Sequence, residues 1–103
     1  MYSVELTPRA EKLIFAHIDY YNNLKLGLGN TFYVEIIEYL TSLSKHPELF
    51  QVRYLNVRVI PMKNFPYLMF YIIKNKTVYI LAVLNSSKDI KNWPVKVWWL
   101  LEL

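Results

Sequence analysis

The chain has 103 residues, a formal charge of +4, 54% hydrophobic and 17% aromatic side chains, and no cysteine. That length argues for one domain, and the composition excludes a disordered chain and any disulfide or thiolate chemistry. The longest apolar run, Val78 to Leu84, is too short to cross a bilayer, and Met1 to Glu5 lacks a signal peptide's basic start, so a cytoplasmic protein without membrane contact is expected.

Tyr2 to Leu6 alternates apolar and polar residues and predicts a short first strand. Thr7-Pro8 reads as a helix start, because Thr caps free amides and Pro at the first helical position loses no hydrogen bond. Ala10, Ile14, Ile18 and Tyr21 recur at helical spacing with Leu13, His17 and Leu24 beside them. Arg9, Glu11, Lys12, Asp19 and Asn22 form the polar face of this helix, about five turns long. Gly27 suits the left-handed conformation that ends a helix, and Asn30 or Thr31 is expected to cap the next. Gly27 and Gly29 do not make a phosphate loop: the lysine and serine of that motif are missing and no strand precedes them. The second helix is expected to bury Phe32, Ile36, Leu40 and Leu43, to expose Glu35 and Glu38, and to end by His46-Pro47. Two helices so joined pack as an antiparallel hairpin.

The pattern then changes period. Val52 to Ile60 predicts one strand, with Leu55, Val57 and Val59 on one face and Tyr54, Asn56 and Arg58 on the other, closed by Pro61. Pro66 opens another strand, in which Leu68, Phe70 and Ile72 share one face and Tyr67, Met69, Tyr71 and Ile73 the other. Asn75 tolerates positive φ and predicts a tight turn into a last strand, Val78 to Leu84. The order β-α-α-β-β-β predicts an α+β fold, with a helix hairpin on one face of a mainly antiparallel sheet. One domain over residues 1–94 is expected, followed by an apolar tail, 95–103, that suits an added strand or a contact surface.

Charge follows the same division. Residues 1–45 carry four basic and five acidic groups, whereas residues 46–103 carry eight and three. A basic surface attracts nucleic acid or an acidic protein segment, and charge alone separates neither from an ordinary solvated face. No His, Cys or carboxylate spacing suggests a metal, and no cofactor is expected. Ser86-Ser87 lacks a nearby base and reads as a loop. Glu35 and Glu38 read as a solvated face rather than a catalytic carboxylate pair. Tyr67, Tyr71 and Tyr79 suit either base stacking or the core, and the core is the simpler reading. His17 reads as a satisfied imidazole on the first helix, and His46 as a neighbour of helix-terminal carbonyls.

The order of elements, with GLGNTF at Gly27 to Phe32, HPELF at His46 to Phe50, KNFPYLMFY at Lys63 to Tyr71 and VYILAVLNSSKDIKNW at Val78 to Trp93, resembles the RelE/ParE toxin superfamily. These are the toxin halves of bacterial type II toxin–antitoxin modules, and the resemblance is closer to the ParE-like branch. It implies a basic, plasmid-stabilising toxin that causes growth arrest and assembles with a partly disordered antitoxin wrapped around it. For the ParE-like branch it implies a protein target, DNA gyrase. For the RelE-like branch it implies ribosome-dependent mRNA cleavage, an mRNA interferase whose partners are the ribosome and mRNA.

The family's histidine and paired arginines after the last strand are absent. That stretch here is Asn85-Ser86-Ser87-Lys88-Asp89-Ile90-Lys91-Asn92-Trp93, in which Lys88, Asp89 and Trp93 keep the family's flavour. Nuclease chemistry needs basic groups and an acid converging on one phosphate. Its candidates here are Arg58, Lys63 and Lys88, with Tyr71 as acid. Candidates for contact with a target or antitoxin are Arg53, Arg58, Lys63, Lys74, Lys76, Lys88 and Trp93. An inactive binding module on the same scaffold is the third expectation.

Overall fold

Backbone pairing in a computed structural model, which describes residues 1–86, gives seven elements. They are β1 (Ser3–Leu6), α1 (Pro8–Leu24), α2 (Leu28–Lys45), β2 (Val52–Tyr54), β3 (Val57–Pro61), β4 (Tyr67–Lys74) and β5 (Thr77–Asn85). The strands form one sheet in the order β1-β5-β4-β3-β2. β1 runs parallel to β5, and the other neighbours are antiparallel. The fold is the expected α+β arrangement of a helix hairpin and a mainly antiparallel sheet.

Local chemistry explains most boundaries. The Thr7 hydroxyl oxygen accepts from the Ala10 amide at 3.2 Å, and Pro8 opens α1. The same hydroxyl donates to the Ile80 carbonyl at 2.9 Å, so the cap also ties α1 to β5. At the far end, the Lys25 amide closes α1 onto the Tyr21 carbonyl. Asn75 takes φ 58° in the two-residue turn between Lys74 and Thr77, as its type allows.

Three expectations are corrected. Asn30 and Thr31 do not cap the second helix: α2 starts at Leu28, and Gly27, at φ 90°, is its N-cap residue. The capping oxygen comes from the other helix, because Asn22 Oδ1 accepts from the Gly29 amide at 2.8 Å. The strand expected over 52–60 is two strands. Leu55 has φ 52°, and the chain folds back there so that Val52 pairs with Arg58 and Tyr54 with Val57. Leu55, expected on an apolar strand face, therefore stands 59% exposed at a turn. Glu35, expected on a solvated face, is only 6% exposed.

The core has two layers. Ala10 and Ile14 of α1 and Phe32, Ile36 and Leu43 of α2 meet Ile60, Met69, Tyr71, Val78, Ile80 and Val83 on one face of the sheet. Val57, Val59, Phe70, Ile72, Leu81, Ala82 and Leu84 cluster on the other. Both faces of β4 are thus apolar, in the alternation that the sequence predicts. In β5 the alternation slips, because Tyr71 pairs with Ile80 while Phe70 pairs with Ala82, which leaves Leu81 as an extra residue. Ser87, Lys88, Asp89, Trp93, the proposed boundary at residue 94 and the 95–103 tail lie outside the described residues.

Candidate functional site

Arg58 and Tyr71 are cross-strand partners on β3 and β4. Arg58 Nη1 donates to the Phe50 carbonyl at 2.6 Å and lies 3.5 Å from that of Glu48. Tyr71 is fully buried, and its hydroxyl donates to the Pro47 carbonyl at 2.7 Å. Burial pushes the Tyr71 phenol up, although the Arg58 charge and a backbone hydrogen bond from Phe50 pull against it. The two side chains hold the segment after α2 against the sheet. A phenol that is buried and has its proton directed at a carbonyl is not placed to protonate a leaving group.

The remaining cations stand apart. Arg53 is exposed on the edge strand β2, near the Leu55 turn, and by register that turn lies at the same end of the sheet as Lys74 and Lys76. Lys63 is exposed in the β3–β4 connection, at the opposite end of β4. At roughly 3.3 Å per residue, the eight residues of β4 separate these ends by about 23 Å. Arg58 and Tyr71 stand level with each other, four residues or roughly 13 Å along β4 from the end that adjoins Lys63.

The histidines are accounted for structurally. His17 Nε2 lies 2.8 Å from the Val83 carbonyl oxygen, and its ring packs 4.3 Å from that of Tyr67. The His46 backbone amide closes α2 onto the Ser42 carbonyl, with the residue exposed. Tyr67 belongs to an aromatic cluster with Tyr21, Phe32 and Phe65 rather than to an open stacking surface. Tyr79 is half-buried on the sheet face away from the helices.

Sequence reasoning missed two features. The first is Glu35. Its Oε2 accepts from the Tyr39 hydroxyl at 2.7 Å and from the Lys63 amide at 2.9 Å, and its Oε1 accepts from Asn64 Nδ2 at 2.8 Å. Burial pushes the carboxyl up, but the bonds from Tyr39, Asn64 and the backbone outweigh it and leave the group below its usual range. Burial and the Glu35 bond push the Tyr39 phenol up to about 12. The spacing of Glu35 and Tyr39, one helical turn apart, was the available signal.

The second is an apolar cleft of about 110 Å³ between the two helices, bordered by Leu6 of β1. Glu11, Ile14 and Phe15 of α1 line it with Tyr33, Ile36, Ile37 and Leu40 of α2. Phe15, Tyr33 and Ile37 are 57%, 46% and 40% exposed, an unusual concentration of large apolar groups on one surface. Among the described residues no three His, Cys, Asp or Glu side chains group as a metal site. None of the described helices is long and apolar enough to cross a membrane.

A family model described as the ParE toxin of the type II toxin–antitoxin system, parDE, matches residues 4–90. Among solved structures, a chain of the chromosomal ParDE TA system from P. aeruginosa superposes with a TM-score of 0.72. The match covers 82% of this chain and 96% of that one at 21% identity, a likeness of fold. No curated protein matches the chain by sequence.

Proposed function

We propose that this chain, which belongs to the ParE toxin family of type II toxin–antitoxin systems, arrests growth by binding and inhibiting a protein target, DNA gyrase. A cognate antitoxin neutralises it in the cytoplasm by assembling with it. One observation carries the choice of a binding toxin over a nuclease: Tyr71 and Arg58 direct their donors at the Pro47 and Phe50 carbonyls. A buried phenol so engaged offers no acid to a leaving group, and Arg58 keeps its charge but commits Nη1 to the backbone.

The two kinds of exposed surface suit the two halves of an antitoxin contact. The Phe15–Tyr33–Ile37 cleft accepts the apolar face of a helix. The exposed Arg53, Lys74 and Lys76, at one end of the sheet, attract an acidic segment, and that part of the affinity falls as salt rises.

The test is controlled expression in a bacterial host alongside a supercoiling assay with purified protein and gyrase. The expected result is growth arrest with loss of supercoiling. Arrest with gyrase untouched and mRNA cut on ribosomes would replace this reading with the nuclease. Normal growth with soluble, folded protein would leave an inactive binding module.

A further inference from the structure

Among the described residues, Glu35 is the one buried charged side chain. It joins α2 to the short connection between β3 and β4. Its donors are the Tyr39 hydroxyl, one turn along the same helix, and groups of that connection: the Lys63 amide, the Asn64 side chain and the Asn64 backbone amide. The Lys63 amide also lies 3.0 Å from the Tyr39 hydroxyl. Lys63 is thus held by its backbone, while the residue itself is exposed. The connection is pinned from both sides, since the Met62 amide donates to the Tyr67 carbonyl at 3.0 Å.

A buried carboxylate is costly unless it is fully hydrogen-bonded, so this one stays in place only while the connection keeps its shape. We propose that Glu35 is a positioning residue for the target-binding surface: it latches Lys63 and Asn64 onto α2, so that the Lys63 ammonium meets an acidic surface of the toxin's protein target in one preset geometry. The proposal rests on reading the chain as a protein-binding toxin. Ordering the connection before contact lowers the entropic cost of binding, and a cation at the rim acts on association and specificity.

Hydrogen exchange and gyrase binding test this together, with Glu35→Ala, Glu35→Gln, Tyr39→Phe and Lys63→Ala. In folded Glu35→Ala, the Lys63 and Asn64 backbone amides are expected to exchange at least about ten-fold faster while the strand amides keep their protection. Glu35→Gln falls between, because a carboxamide oxygen still accepts. Glu35→Ala and Lys63→Ala each weaken gyrase binding, and together they are less than additive, although Glu35 takes Lys63 only by its backbone amide. A Glu35 that merely stabilises the fold would give additive losses. Unchanged exchange in folded Glu35→Ala, or additive losses, would overturn the proposal. Should Glu35→Ala not fold, Glu35→Gln and Tyr39→Phe carry the same comparison. Absence of wild-type binding to gyrase would sink the target reading and the presentation of Lys63 with it, while the exchange rates still decide the latch.

Discussion

Arg58 and Tyr71 stand opposite each other on adjacent strands and both donate to the loop that follows α2, Arg58 to Phe50 at 2.6 Å and Tyr71 to Pro47 at 2.7 Å. Arginine and tyrosine there suit nucleic-acid chemistry by composition. Their contacts clamp this loop against the sheet.

Tyr71→Phe therefore removes one buried hydrogen bond and leaves the Pro47 carbonyl without that donor. A stability loss of about 1–3 kcal/mol is expected, read from urea unfolding. Growth arrest by the folded variant should be retained at permissive temperature. Loss of toxicity in a Tyr71→Phe protein that is still folded would revive the nuclease assignment.

The two glycines predict different costs. At Gly27 an added Cβ meets open space, so Gly27→Ala carries only the strain of φ 90°, about 1–2 kcal/mol. At Gly29 a Cβ collides with the Ile18 carbonyl oxygen and the Asn22 side chain, backbone included. Gly29→Ala should then cost about 1–3 kcal/mol or more despite alanine's better helix propensity, because α1 and α2 must separate. Matched chemical denaturation of the two variants gives the order.

Glu35 makes stability depend on pH. Its folded pKa lies below the ordinary value of 4.5, so the carboxylate's contribution is fully present above that value and is lost as pH falls through the folded pKa. Unfolding free energies measured from pH 7 downward should fall more gently in Glu35→Gln than in wild type below about pH 4.5. Parallel acid limbs in the two proteins would contradict the hydrogen-bonded carboxylate.

The cleft between the helices separates binding from stability. Phe15 and Ile37 are 57% and 40% exposed, so Phe15→Ser or Ile37→Ser should lower stability by no more than about 1–2 kcal/mol. Antitoxin affinity should nevertheless drop about ten-fold or more, since large apolar anchors dominate such contacts. In cells, co-expressed antitoxin would then fail to rescue growth. Full rescue by antitoxin would remove the cleft from the interface.

Much of the fold was legible because it rests on short-range chemistry. Thr7-Pro8 caps and starts a helix, Asn75 permits a tight turn, and the alternation from Tyr67 to Ile73 separates two apolar faces. Each signal lies within a few residues of its effect. The division of 52–60 into two strands was missed because β-branched residues on both sides of Leu55-Asn56 keep a strand-like pattern through a turn. Pairing with β3 decides that fold-back. The cap of α2 was misplaced for a similar reason: its acceptor, Asn22, belongs to the preceding helix.

The site divides along the same line. By itself the sequence determined the basic character of the later half, the absence of thiol chemistry and the family likeness. Only the tertiary structure decided what the charged groups do. Glu35 looked solvated because its donors come from Tyr39 and from residues 63 and 64, brought together when the sheet packs on α2. Arg58 looked available because the carbonyls it meets carry no side-chain signature. A side chain's type sets what it can donate or accept, but burial and long-range backbone partners set whether that capacity is left for a ligand.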